Sequence, residues 1–129
     1  MSHSVKLSVD GNDFGLISCE YSVNRQLDST SKPVGEIQAG TISFTIRSDT
    51  RTFFWEWAIN KYEKKSGSIV FSKPNDEQSM KQLDFTDAFC ADYHESCDSE
   101  AGQSMIESVT ISARVLTINK ASHTNEWPD

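Results

Sequence analysis

At 129 residues and 14.5 kDa the chain has the size of one domain, and it reads as a single domain over residues 1–129, long enough to bury roughly two thirds of its unfolded surface without disulfides. A hydrophobic share of 36%, 10% aromatic, with six glycines and three prolines, excludes a disordered or collagen-like chain. The 12 basic against 19 acidic residues, net −7 with a pI near 4.9, argue against nucleic acid and anionic membranes as partners, because a phosphate surface demands clustered Lys and Arg.

Residues 4–9 alternate, with Val5, Leu7 and Val9 on one face and Ser4, Lys6 and Ser8 on the other, so they predict a half-buried strand. Asp10-Gly11-Asn12-Asp13 turns the chain, and residues 16–23 resume alternation with Ile17, Cys19, Tyr21 and Val23 inward. The two runs predict a hairpin with a longer than minimal loop. From residue 24 to 40 the pattern stops, and Asp28-Ser29-Thr30-Ser31-Lys32-Pro33-Val34-Gly35 has loop composition throughout. A structureless connection of this length inside a compact domain usually belongs to binding, assembly or disorder. Val34 and Ile37 lie in it with no apolar partner nearby in sequence.

Residues 41–47 give the cleanest strand, with Ile42, Phe44 and Ile46 on one face. A helix follows over residues 49–62, where Phe53, Phe54, Trp57, Ala58 and Tyr62 recur at steps of three and four and so form one core-facing stripe. Ser48 or Asp49 is the expected N-cap, and Lys64, Lys65 and Gly67 the expected exit. Trp55 and Ile59 lie off the stripe and are left for a second contact surface. Residues 68–72 form a short strand through Ile69 and Phe71, and Lys73-Pro74-Asn75-Asp76 another turn.

Residues 81–89 alternate with Leu83, Phe85 and Phe89 inward, and Asp87 on the apolar side. The apolar phase shifts near 89–91, which predicts a bend or bulge there before the polar run from Cys90 to Cys97. Residues 98–103 form a loop. The last strand spans 105–118 with Val109, Ile111, Ala113 and Val115 inward, and 119–129 is a polar tail holding Trp127. Nine carboxylates from Asp76 to Glu107 against Lys81 alone read as a solvated face. Short strands separated by turns, with one helix after the third, predict a mainly β fold: an antiparallel two-sheet β-barrel or sandwich with one α-helix packed on it.

Catalytic chemistry finds little support. His3 and His123 lie near the termini, and neither a Gly-x-Ser-x-Gly elbow nor a phosphate-binding loop is present. Cys90 and His94 share a strand face while Cys97 points to the other, a poor zinc set, and Asp92 and Glu95 fall on opposite faces. Asp10-Gly11-Asn12-Asp13 lacks the rest of a calcium loop. The expectation is no enzyme, no metal and no cofactor. Three cysteines at irregular spacing, Cys19, Cys90 and Cys97, suggest a reducing compartment, with Cys19 a buried thiol. The amino terminus lacks a Sec-type signal peptide, and no apolar run approaches membrane-spanning length, so membrane insertion is not expected and folding is assigned to the cytoplasm.

Over nearly the whole chain the order of these pieces resembles the type VI secretion tube protein family, often called Hcp or TssD, in the branch known from Bacteroidetes. The resemblance is carried by Leu7-Ser8-Val9-Asp10-Gly11 followed by Cys19-Glu20-Tyr21-Ser22, by Gly40-Thr41-Ile42, and by the aromatic helix with Phe54-Trp55-Glu56-Trp57. Gly67-Ser68-Ile69, Tyr93-His94-Glu95-Ser96, Thr110-Ile111-Ser112-Ala113 and the ending His123-Thr124-Asn125-Glu126-Trp127 extend it. Ser31-Lys32-Pro33-Val34 and Ala39-Gly40 carry fewer glycines than the family leads one to expect. The resemblance implies a structural subunit of hexameric rings that stack as the inner tube of a contractile injection system. Its partners would be a sheath, a baseplate with its spike, and effector proteins in the lumen, with cytoplasmic assembly followed by secretion without a signal peptide. The long loop then becomes an arm reaching a neighbour, and Asp28, Thr30, Pro33, Val34, Ile37 and Gly40, with Trp55 and Ile59 of the helix, are the candidate subunit contacts. The competing class is a monomeric β-barrel module that binds a small ligand or a basic peptide.

Overall fold

The computed structural model describes residues 4–72, 79–97, 105–125 and 127, with the backbone alone at residues 26, 34–38, 79 and 80. The predicted turn at 73–76, the loop at 98–103 and four carboxylates of the acidic run (Asp76, Glu77, Asp98 and Glu100) lie outside the described residues. The elements in chain order are β1 (Ser4–Val9), β2 (Asn12–Gly15), β3 (Ser18–Tyr21), β4 (Asn24–Leu27), β5 (Pro33–Gln38), β6 (Thr41–Arg47), α1 (Phe53–Ile59), β7 (Lys65–Ser72), β8 (Ser79–Ser96), β9 (Ile106–Ile118) and β10 (Ala121–Thr124). The fold is mainly β with one packed helix, as expected, and the helix follows the sixth strand. Eight strands form one antiparallel sheet in the order β2-β1-β7-β8-β9-β6-β3, with β10 also on β9, curled into a half-barrel. The ribbon β4–β5 stands apart from that sheet.

The long β8–β9 hairpin is the spine. Its β8 half from Ser79 to Ala88 pairs with β7, whereas β9 pairs with β6 from Ile106 to Ser112 and with β10 from Val115 to Ile118. The strands bend where these partners change. Asp87 takes φ 53° and its amide donates to Ser66 Oγ at 3.1 Å, and the β8–β9 register shifts between Cys90 and Asp92, the bulge that the phase change near 89–91 predicts. Covalent continuity closes the two ends: residues 15–17 run from β2 to β3, with the Leu16 amide donating to the Val5 carbonyl at 2.9 Å and the Ile17 amide to the Thr45 carbonyl at 2.8 Å.

Leu7, Val9, Ile42, Phe44, Ile46, Ile69, Leu83, Phe85, Val109 and Ile111 fill the interior, on the faces that alternation assigns them. Helix α1 plugs the open end. Phe54 lies 4.7 Å from Phe14 of β2 and 5.4 Å from Phe44 of β6, joining the two arms of the sheet, and Trp57 is buried beside it. Its indole N–H donates to the Glu63 carbonyl at 3.1 Å, so the buried ring leaves no polar atom stranded.

Several expectations change. The helix is shorter than 49–62, because Asp49 does not cap it: its carboxylate accepts from the Arg51 amide at 2.8 Å and pairs with the Arg51 guanidinium. Thr52 is the N-cap, and the helix ends at Asn60, whose side-chain oxygen accepts from the Tyr62 amide. Tyr62 therefore leaves the core stripe and is 77% exposed, and Lys65 and Gly67 belong to β7. Gly67 is needed there for packing, since a Cβ would lie 2.4 Å from the Ser8 carbonyl oxygen. The first hairpin is minimal: Val9 opposes Asn12 across Asp10-Gly11, with φ of 50° and 75°, the Asp-Gly pair that a two-residue turn favours. Residues 16–23 are split, so Ile17 and Val23 are exposed, while Cys19 and Tyr21 are half-buried. The 24–40 segment is not structureless. The bend at Asp87 puts Ala88 inside and turns Phe89 outward against Trp127 at 5.5 Å; on β9 Leu116 replaces Val115 as the buried residue. The tail contains β10.

Candidate subunit-contact surfaces

The ribbon begins at Asn24 and reverses through a turn built around Asp28. One Asp28 carboxylate oxygen accepts from the Thr30 hydroxyl at 2.7 Å and from the amides of Thr30 and Lys32 at 2.9 Å each. The Asp28 amide donates to the Lys32 carbonyl at 2.9 Å, and Ser31 adopts φ 66°. The Thr30 hydroxyl and these amides hold the Asp28 carboxyl below its usual value. Among the described residues, the hydrogen bonds of residues 24–38 stay inside the ribbon, and its exposed apolar side chains, Val23 at its root and Leu27, have no core to enter. Asp28, Thr30 and Pro33 are all exposed, whereas the side chains of Val34 and Ile37 lie outside the described residues.

Gly40 sits where the ribbon rejoins the sheet, and it is buried. With φ 97°, it brings its backbone so close to β9 that a Cβ would lie 2.6 Å from both the Ala113 carbonyl oxygen and Asn125 Nδ2. Asn125 Nδ2 donates to the carbonyls of Ala39 and Ala113, which fastens the root of the ribbon to the C-terminal segment. The glycine thus has an intramolecular reason to be there.

The outer side of α1 is the second surface. Trp55 is 52% and Ile59 63% exposed, as their position off the stripe implies. Trp55 stands edge-on to Tyr93 at 6.0 Å and forms a wall of a cleft of about 500 Å³, with Asp49, Arg51, Glu95 and Met105 among its other lining residues. Behind it lies a carboxyl that the reading of the acidic run as a solvated face misplaces: Glu107 is 2% exposed, with Tyr93 Oη donating to it at 2.6 Å. Burial pushes the Glu107 carboxyl up and the neighbouring charges of Glu95 and Asp49 act in the same direction, although the Tyr93 bond opposes them. Burial also raises the Tyr93 phenol, and Glu107 adds to it. Ser48 Oγ donates to Glu95 at 2.5 Å, tying the segment before the helix to β8.

Burial pushes the Cys19 and Cys90 thiols up to about 11, which leaves both as weak nucleophiles, and Cys90 Sγ lies 3.6 Å from the Asp92 carbonyl. His94 is exposed on β8. The contact candidates therefore fall into two separate surfaces, the ribbon and the outer face of α1. Val23, Leu27 and Tyr62 join them unforeseen. Their signal is weak, since single apolar residues among polar ones are also what a loop or a strand end contains.

The chain matches the family model described as hemolysin coregulated protein Hcp (TssD) over residues 1–128. It belongs to the Hcp family of tube proteins. Among solved structures, Hcp1 from Flavobacterium johnsoniae is similar with a TM-score of 0.89 and 28% identity, covering 95% of this chain and 99% of that one, in keeping with the Bacteroidetes branch. Hcp1 from Salmonella typhimurium shares the fold at a TM-score of 0.75 and 15% identity, over 96% of this chain and 93% of that one. A chain of the sheath–tube complex of an extracellular contractile injection system, PVC in its extended state, shares it at 0.65 and 16%, over 91% and 88%. No curated protein sequence matches the chain.

Proposed function

We propose that this Hcp-family chain, acting over residues 1–129 as one tube domain, assembles into hexameric rings that stack as the inner tube of a contractile type VI secretion machine. The family match over residues 1–128 carries this conclusion, and the likeness to a chain of a sheath–tube complex supports it. Assembly takes place in the cytoplasm, and the tube then leaves through the machine. Among the described residues, no helix is long and apolar enough to cross a membrane. The implied partners are a sheath, a baseplate with its spike, and effector proteins carried in the lumen.

Physically, a ribbon that exposes Val23 and Leu27 and bonds mainly to itself is an arm in search of a neighbour. An arm of one copy meeting a different patch of the next is a heterologous contact, the kind that closes rings. Asp28, Thr30, Pro33, Val34 and Ile37 are assigned to the arm, Gly40 to its root, and Trp55 and Ile59 to the second surface.

Light scattering and negative-stain imaging of the purified protein test the proposal. Rings are expected; a strictly monomeric particle at high concentration overturns it in favour of a monomeric binding module. Deleting residues 30–37 is expected to leave a folded monomer, and unchanged rings would remove the arm assignment.

A further inference from the structure

The two ends of helix α1 differ in chemistry in a way that the arm leaves unused. At its start, the cleft beside Trp55 combines an exposed indole, the Tyr93 ring and the Glu95 carboxylate. Asp49 is already paired with Arg51, but Glu95 makes no ion pair among the described residues. An aromatic wall beside an unpaired carboxylate is suited to an ammonium group, which gains from the ring face and the charge together. The volume of about 500 Å³ lies within the range of side-chain and ligand clefts.

At the exit of the helix the chemistry is reversed. Ile59, Lys61, Tyr62 and Lys64 are all exposed there, on a chain whose net charge is −7. Lys61 lies 5.0 Å from the Tyr62 ring and Lys64 lies 5.8 Å from the Phe89 ring, and neither makes an ion pair among the described residues. Lys65, by contrast, is spent inside the fold, paired with Asp10 and Glu63 at 2.6 Å each. The patch therefore offers two unclaimed ammonium groups flanked by exposed apolar surface.

We propose that the basic, aromatic exit of α1 in one copy docks into the cleft at the start of α1 in the next, with Lys61 or Lys64 entering between Trp55 and Glu95. The occupant is a second copy of this chain, because charge and aromatic character are complementary between two patches of the same molecule. Each copy carries both the donor and the acceptor patch, so the charge on either side of the contact can be reversed independently. This inference rests on the tube-subunit proposal and adds to it a specific contact besides the arm.

Charge reversal tests it more cleanly than salt, since salt also screens the repulsion between chains of net charge −7. One variant carries Lys61→Glu with Lys64→Glu, the other Glu95→Lys, and melting temperature checks that each is folded. Sedimentation velocity is expected to show self-association weakened roughly tenfold or more in each variant alone, as for mismatched charges across an interface. An equimolar mixture is expected to recover association, because alternating copies then meet complementary charge at every contact. Trp55→Ser, which removes the aromatic wall without altering charge, is expected to weaken association and not to be rescued by mixing. Variants that associate like wild type, or folded variants whose mixture stays apart, overturn the docking while wild-type rings leave the tube proposal standing. A wild type with no self-association overturns both.

Discussion

The half-barrel and the β4–β5 ribbon are built from the same antiparallel pairing, yet they are held by different forces. In the barrel, each strand also turns a row of side chains into a shared interior, and Phe54 ties opposite arms of the sheet through Phe14 and Phe44. Each residue there is fixed both by its ladder bonds and by the apolar area it removes from water. The described side chains of the ribbon enter no such interior, which leaves them the ladder and the Asp28 turn, and an isolated two-stranded hairpin is marginal in water. Barrel and ribbon are thus expected to respond in opposite ways to mutation: interior changes move global stability, and ribbon changes move local order and assembly.

Trp57→Ala sharpens the contrast most. The indole is fully buried and hydrogen-bonded to the Glu63 carbonyl, so truncation is expected to cost roughly 3–5 kcal/mol. Thermal and denaturant unfolding measure it, and a loss below about 1 kcal/mol would mean that α1 is not part of the cooperative unit. Gly67→Ala comes next. The new Cβ would sit 2.4 Å from the Ser8 carbonyl oxygen and 2.9 Å from Phe85, so β1 or β8 must shift, at an expected cost of roughly 1–3 kcal/mol by the same measurement.

Glu107 gives a smaller effect with a distinct sign. Its carboxyl titrates higher folded than unfolded, so its contribution is fully present below the unfolded value and is lost as pH rises through the folded one. Glu107→Gln retains an oxygen for the Tyr93 hydroxyl and never ionises. Wild type and variant are expected to match in acid and to separate toward neutral pH, with the variant more stable by on the order of 1 kcal/mol, because only the wild type must then ionise a buried carboxyl beside Glu95 and Asp49. Asp13, Asp28 and Asp49, whose carboxyls are held low, favour the folded state in the opposite direction, at higher pH, so the difference between the two proteins, rather than either profile, isolates Glu107. Parallel stability curves across that range would show that Glu107 does not carry the effect.

The same contrast explains what the sequence revealed. Strands β1 and β6 have one face in the core and one in solvent, so Leu7, Val9, Ile42, Phe44 and Ile46 write a period of two that can be read directly. In the ribbon the described side chains of β4 and β5 are all exposed, so none of them writes an inward face, and turn-forming residues occupy its bend, which gives the segment the composition of a loop. Glu107 and Ala88 were misplaced for another reason. Inward direction depends on bends such as that at Asp87, which shift the phase by one residue, and on a hydrogen-bonded partner such as Tyr93, which only the pairing of β8 with β9 brings to Glu107. The helix was visible from its stripe, but its ends were set by Arg51 claiming Asp49 and by Asn60 turning the chain. As for the contact surfaces, exposure of Trp55 and Ile59 followed from helical spacing, whereas the cleft beside Trp55 required β8 to be placed against α1.

Asp28→Ala is the smallest perturbation of the four, and it separates the two regions most sharply. The carboxylate is fully exposed and touches nothing in the barrel, so the global unfolding transition is expected to stay where it is in wild type. Its removal nevertheless deprives the Thr30 and Lys32 amides of their acceptor and the turn of the bond that favours its shape. Amide exchange at Thr30 and Lys32 is expected to accelerate, with exchange in β6 and β9 unchanged. If the barrel amides accelerate together with those of the ribbon, the ribbon belongs to the same cooperative unit and its order does not await a neighbour. If only the ribbon loosens, a subunit with a disordered arm pays a larger ordering entropy on assembly, and ring formation weakens at fixed concentration although the barrel is untouched.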